Sequence, residues 1–148
     1  MEEKILVSAC LLGLCCRYDG ASKPNQELLT CLKNHVFIPV CPEQLGGLAT
    51  PRVPSEIQGE TVVTKTGIDV TEQYERGAAQ VLKLARLYDC KKAVLKAKSP
   101  SCGKGQIYDG TFSGTLTEGN GITARLLLSN GITVYTEHDL ALLNQESS

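Results

Sequence analysis

The sequence predicts an α/β domain: a mainly parallel, Rossmann-like sheet with helices on both faces. Three observations carry this. Short apolar runs of strand character recur at residues 4–9, 36–40, 93–97 and 132–135. Each is followed, after a loop, by a stretch with helical apolar spacing or a helix-start signal. The length of 148 residues fits one domain, over residues 1–148, with a sizeable core.

The first strand, residues 4–9, leads into a loop holding Gly13, Cys15, Cys16, Arg17, Tyr18, Asp19 and Gly20. Asn25 follows Pro24 and is a good N-cap for a helix to about Asn34, with Leu28, Leu29 and Leu32 on its buried side. The second strand is 36–40. Residues 41–48 and 51–54 hold three prolines and two glycines, which predicts a long, shaped loop. Residues 61–64 predict a short strand, forming a small hairpin with Glu56-Ile57. Asp69-Val70-Thr71-Glu72 resembles a capping box. It opens a helix ending near Tyr88, with Tyr74, Ala78, Val81, Leu82, Ala85 and Leu87 as its apolar stripe. The third strand is 93–97. The Gly-, Ser- and Thr-rich stretch 103–121 predicts a loop over the site. Ile122 to Ser129 predicts a helix closed by Asn130-Gly131. The fourth strand is 132–135, and Thr136 is expected to cap a last helix carrying Leu140, Leu142 and Leu143.

Composition excludes several functions. The formal net charge of −1 gives no general attraction to polyanions, and the absence of Trp disfavours a base-stacking platform for nucleic acid. Neither DNA nor a membrane is an expected partner. Met1-Glu2-Glu3-Lys4 opens acidic, without a signal-peptide pattern, and no apolar run approaches membrane-spanning length. A cytoplasmic setting is expected, where thiols stay reduced and cysteine patterns more often mean metal or catalysis than disulfides. The seven cysteines are in any case an odd number. Neither G-x-x-x-x-G-K-[ST] nor a G-x-G-x-x-G after the first strand is present, so nucleotide-triphosphate and dinucleotide binding are rejected.

Cys10, Cys41 and Cys102 each lie just past a predicted strand. If the strands are parallel neighbours, the three sulfurs gather at one sheet edge, where α/β proteins build their sites. The result is a three-thiolate site with room for a fourth, exchangeable ligand. Thiolates select zinc, Cu(I) or iron–sulfur clusters. The chain has no C-x-x-C knuckle and no ferredoxin spacing, and spacing alone does not choose among these metals. Cys31 and Cys90 read as small buried hydrophobes. Cys16 stands evenly between a functional and a structural role, its neighbour Arg17 being a cation that would lower a thiol pKa. Glu43, two residues after Cys41, is placed to face the same pocket as acid or base, although an isolated loop glutamate is more often solvated. Ser99 and Ser101 either donate hydrogen bonds at the site or cap a turn. Arg52 and Lys104 would contact an anion or a carbonyl, or be surface charges. His35 and His138 are assigned to structure, and Asp19 and Asp109 to turns.

Several strings are distinctive together: Val7-Ser8-Ala9-Cys10-Leu11-Leu12-Gly13 with Cys16-Arg17-Tyr18-Asp19-Gly20; Cys41-Pro42-Glu43-Gln44-Leu45-Gly46-Gly47-Leu48 with Thr50-Pro51-Arg52; and Lys98-Ser99-Pro100-Ser101-Cys102-Gly103. In this order, over nearly the whole chain, they resemble the bacterial thiouracil desulfurases. The resemblance implies a [4Fe–4S] cluster held by Cys10, Cys41 and Cys102 with one iron left open, and Glu43 and Ser101 as the catalytic pair. Cys16 falls within a family motif. The implied reaction is non-redox, hydrolytic desulfuration of 2-thiouracil or a related thiolated pyrimidine, releasing hydrosulfide and the oxo-base. Two other readings stand beside it. One is a non-catalytic domain binding zinc or a cluster through its cysteines. The other is a metal-free thiol enzyme using Cys16 or Cys102 as nucleophile.

Overall fold

The computed structural model describes residues 3–30 and 35–146. Cys31 and the end of the first predicted helix lie outside them. Among the described residues the elements run β1 (Lys4–Ser8), a 3₁₀ turn (Ala9–Leu12), α1 (Gln26–Thr30), β2 (Val36–Val40), α2 (Pro42–Leu45), β3 (Ser55–Gln58), β4 (Thr61–Thr64), α3 (Thr71–Leu87), β5 (Lys92–Leu95), β6 (Gln106–Tyr108), β7 (Leu116–Glu118), α4 (Ile122–Ser129), β8 (Thr133–Thr136) and α5 (Leu140–Glu146).

The four apolar runs form one parallel sheet in the order β2-β1-β5-β8. In register, Ser8 lies beside Val40, and Val7 beside Val94. The chain crosses from β2 over β1 to β5, so the connections reverse direction between β1 and β5. Beyond the carboxyl ends of strands at such a switch point, the loops diverge and leave a crevice.

Side chains alternate across each strand, and this sorts the core into two layers. Leu6, Ala93, Leu95 and Val134 pack with Val81 and Ala85 of α3 and Ala124 and Leu127 of α4. Ile5, Val7, Val94 and Tyr135 pack with Leu28 of α1 and Leu140 and Leu143 of α5. Helices therefore cover both faces, as the alternation of elements predicts. Ile57, Val62, Val70, Tyr74 and Ile107 form a smaller cluster where the β3–β4 hairpin meets α3 and β6.

Several local expectations need correction. The prolyl loop after β2 contains α2: Pro42 supplies a preset φ at the first helical position, and Gly46 N–H returns to the Pro42 carbonyl at 2.9 Å. The stretch 103–121 is not all loop, because β6 and β7 pair antiparallel within it. The capping box does not form. Asp69 accepts from the Thr71 N–H and hydroxyl at 2.9 and 2.6 Å, while Glu72 reaches forward to Arg76. Thr136 closes a turn with Asp139, and α5 starts only at Leu140. Leu87 and Leu142 are exposed, each lying off its helix's buried side. Asn25 does cap α1, its side-chain oxygen accepting the Leu28 N–H at 2.9 Å. Asp19 and Asp109 do shape turns, accepting from the N–H of Ala21 and Thr111. No helix among the described residues is long and apolar enough to cross a membrane.

Candidate active site

Three loops leave the carboxyl ends of β1, β2 and β5 and meet around a cleft of about 400 Å³. Its lining includes Cys10, Cys16, Cys41 and Cys102 together with Glu43, Arg52, Ser99 and Ser101. Lys104 is exposed on its loop and outside that lining, so the structure does not bring it into the site. Cys15 points to solvent, and Cys90 is buried in the core. All six described cysteines are free thiols.

The β1 loop turns at once. The 3₁₀ turn buries Cys10 and ends at Gly13, whose φ of 99° lets its N–H reach the Ala9 and Cys10 carbonyls. The chain then folds back and buries Cys16 against Cys10 and Cys41. The thiol of Cys16 is pushed up, first by its contact with Cys10 and then by burial. The cation that opposes this rise is Arg52, not the neighbouring Arg17, which lies near Asp19 and over the Tyr18 ring.

The β2 loop sets Cys41 at the start of α2 and Glu43 in its first turn. The thiol of Cys41 is raised by its contact with Cys16 and by burial, and Glu43 adds repulsion. It points at the Cys16 carbonyl oxygen, 3.7 Å away. Glu43 is held from two sides. Tyr74 of α3 donates its hydroxyl to one carboxylate oxygen at 2.9 Å, and Arg52 pairs with the other. Burial would drive the Arg52 proton off, but the charge and hydrogen bond of Glu43 more than offset it, so the guanidinium stays charged. Burial and Glu43 together raise Tyr74, which keeps its hydroxyl a donor. Arg52 also ties the loops together: it donates to the carbonyls of Cys16 and Ala49 at 3.0 Å each. Its buried Nε has no hydrogen-bond partner.

The β5 loop is built by serines. Ser99 Oγ accepts the N–H groups of Ser101 and Cys102, both at 3.1 Å, and so fixes the turn that presents Cys102. Of the two roles open to Ser99, the structure shows the turn cap. Ser101 is buried, its hydroxyl bonded to Thr123 of α4 at 2.8 Å, and its carbonyl takes the Thr123 N–H at 2.9 Å. The free N–H groups that every helix start leaves thus anchor this loop. Burial pushes the Cys102 thiol up to about 12, against a hydrogen bond with Ser8. Ser8, Glu56, Tyr74 and Thr123 were not legible as site residues. Tyr74 reads only as part of a helix stripe, and Thr123 carries no motif at all.

The donor set suits a soft metal group. Cys10, Cys41 and Cys102 come from separate loops, and burial disfavours the bare thiolates of Cys41 and Cys102, a cost that a bound cation removes. Among the described residues, no three His, Cys, Asp or Glu side chains are gathered tightly enough to hold a metal ion as they stand.

Known proteins are similar to this chain. The Bacillus subtilis (strain 168) protein YbbK, described as uncharacterized, is 43% identical over 146 residues, covering 92% of this chain and 97% of its own length. A solved structure of TudS, described as a [4Fe-4S]-dependent thiouracil desulfidase, is 46% identical and superposes with a TM-score of 0.93, covering 98% of this chain and 97% of its own. The sequence matches the 2-thiouracil desulfurase family across residues 5–139, a span holding every thiol of the cleft, and to that family this chain belongs.

Proposed function

We propose that the chain is a [4Fe–4S]-dependent thiouracil desulfidase, a single domain acting in the cytoplasm on a small thiolated pyrimidine. One observation carries the reading: thiols from three sheet-edge loops line a single cleft beside a carboxylate held by two donors. The likeness to TudS supports the same cofactor and reaction here. Cys10, Cys41 and Cys102 would hold the cluster, which, when bound, supplies a soft Lewis acid for a thiocarbonyl sulfur.

The chain's own residues do the rest. The reaction replaces C=S by C=O: water adds oxygen at the carbon, hydrosulfide leaves, and no electrons are gained or lost overall. A base must take the proton from water. Glu43 fills that role, because it lines the cleft while Arg52 and Tyr74 fix its carboxylate. Ser101 sits on a loop locked to α4, so its oxygen holds water or a ring atom at a set place.

Anaerobic purification tests this directly. The expected protein is brown, with about four irons and matching sulfide per chain, and releases hydrosulfide from 2-thiouracil. Cys41→Ala is expected to lose the iron. A colourless protein with one zinc, or iron-loaded protein that yields no hydrosulfide from any thiopyrimidine, overturns the reading.

A further inference from the structure

Phe112 takes no part in the chemistry above, yet its setting is unusual. It is one of only two phenylalanines in the chain, and it lines the cleft. Its backbone is left-handed, with φ of 57°. Bulky side chains rarely adopt that conformation, and it persists where the surroundings enforce it. Here Glu56 of β3 enforces it. This carboxylate is 9% exposed, and one of its oxygens accepts both the Gly110 N–H at 2.9 Å and the Phe112 N–H at 3.2 Å. From the same strand Gln58 donates to the Gly110 carbonyl at 2.7 Å. Gly110 has φ of 93°, and a Cβ there would lie 2.7 Å from the Ile57 carbonyl oxygen, so the two segments are in close contact.

The turn does not need this grip to close. Asp109 already accepts the Thr111 N–H and hydroxyl, at 3.0 and 2.6 Å. The added clasp specifically fixes residues 110–112. Its result is an aromatic ring held at the wall of a cleft whose lining also carries the thiols, the charged groups and the rings of Tyr18, Tyr74 and Tyr108.

We propose that Phe112 is the face on which the planar ring of the substrate stacks, and that Glu56 is the residue that positions it. The substrate's identity rests on the desulfidase reading. The logic of stacking is general: a flat heteroaromatic ring offers a π-face whatever atoms decorate its edge. Phe112 then sets affinity for the ring, while the groups on the opposite loops act on its thiocarbonyl.

The test uses iron-loaded enzyme handled without oxygen. Phe112→Ala is expected to weaken binding of 2-thiouracil and of uracil, read by calorimetry, about tenfold or more. KM should rise in step and kcat change far less. Phe112→Leu keeps the bulk without the π-face and is expected to lose affinity too, whereas Phe112→Tyr keeps it. Glu56→Ala should reproduce the rise in KM, Glu56→Gln, which retains an acceptor oxygen, should restore it, and the double alanine variant should be no worse than Phe112→Ala alone. Wild-type affinity in Phe112→Leu with iron retained overturns the stack, and additive losses in the double variant overturn the role of Glu56. If wild-type enzyme binds the ring but releases no hydrosulfide, the reaction reading falls and the binding series still decides the stack. If it binds neither compound, both fall.

Discussion

Glu43 meets the cleft with both carboxylate oxygens engaged, one by the Tyr74 hydroxyl and one by the Arg52 guanidinium. The two donors differ in what their loss would do. Arg52 carries charge, bonds the Cys16 and Ala49 carbonyls and spans two loops, so removing it disturbs the whole wall. Tyr74 touches Glu43 through one hydroxyl, which also meets Ser55, at the end of a ring buried in a hydrophobic cluster, so Tyr74→Phe removes the hydroxyl and keeps the packing. A hydrogen bond to a charged group contributes about 1.5–3 kcal/mol. If the carboxylate must stay fixed to take a proton, Tyr74→Phe should lower kcat about tenfold or somewhat more with iron content unchanged. Glu43→Gln removes the base itself and should cost roughly 10²–10⁴-fold in hydrosulfide release, again with iron retained. Wild-type turnover in Glu43→Gln would remove it from the proton path. Loss of iron in that variant would instead make it part of the metal's surroundings.

At the scale of elements, the position of Glu43 depends on two residues with no side chain. α2 crosses α3 so closely that a Cβ on Gly77 would overlap the Pro42 carbonyl oxygen, and one on Gly46 the Gln73 carbonyl oxygen. Gly77→Ala therefore sets two effects against each other. Alanine in a helix interior is worth up to about 1 kcal/mol over glycine. Forcing two backbones apart costs about 1–3 kcal/mol when the contact is made by atoms that cannot rotate away. The second should win: lower denaturation midpoint, unchanged slope, and lower activity because α2 carries Cys41 at its start and Glu43 in its first turn. A more stable Gly77→Ala would show that the helices part freely. This crossing also marks where sequence reasoning stops. Strand runs and the 122–129 helix are legible because their apolar spacing is set by burial along one element. The close approach of Gly46 and Gly77 is set by two segments far apart in the chain, and a lone glycine within a helical pattern reads only as a weak point. For the same reason β6 and β7 escape notice. Each is three residues long, Ile107 is the one buried side chain between them, and their pairing leans on Glu56 from another hairpin. That Cys10, Cys41 and Cys102 come to one cleft was legible because each follows a strand end, and parallel strands bring their ends to one edge; that Cys16 joins them there was not. Lys104 had only its nearness in sequence to Cys102, and it lies exposed outside the cleft lining.

The whole molecule combines a sheet buried between helix layers with site loops that add only a few side chains to the core, among them Ala9, Cys10, Leu11, Cys16 and Cys102. Ile5, Leu6, Val7, Ala93, Val94 and Leu95 are wholly buried between the helix layers. Beyond the strand ends the site segments are tied by a few specific bonds: Arg52 N–H to the Tyr18 carbonyl at 2.6 Å, Arg52 to Cys16, and Lys96 N–H to Ser8 Oγ at 2.9 Å. Protein regions with few buried contacts open locally without global unfolding. A group that binds three of these loops at once adds links where the chain has fewest. Binding to the native state alone stabilises by about 2.7 kcal/mol when the ligand is at 100 times its dissociation constant. For a chain of this size that corresponds to a Tm higher by roughly 5–10 °C. Hydrogen exchange locates the gain. Comparing iron-loaded with iron-free protein, amides of residues 9–20, 41–54 and 96–102 should slow markedly on loading, while β1 and β5 stay equally protected in both. Faster exchange throughout the sheet of the iron-free protein would mean that the metal group holds the fold itself. Equal exchange in the three loops would mean that they do not hold it at all.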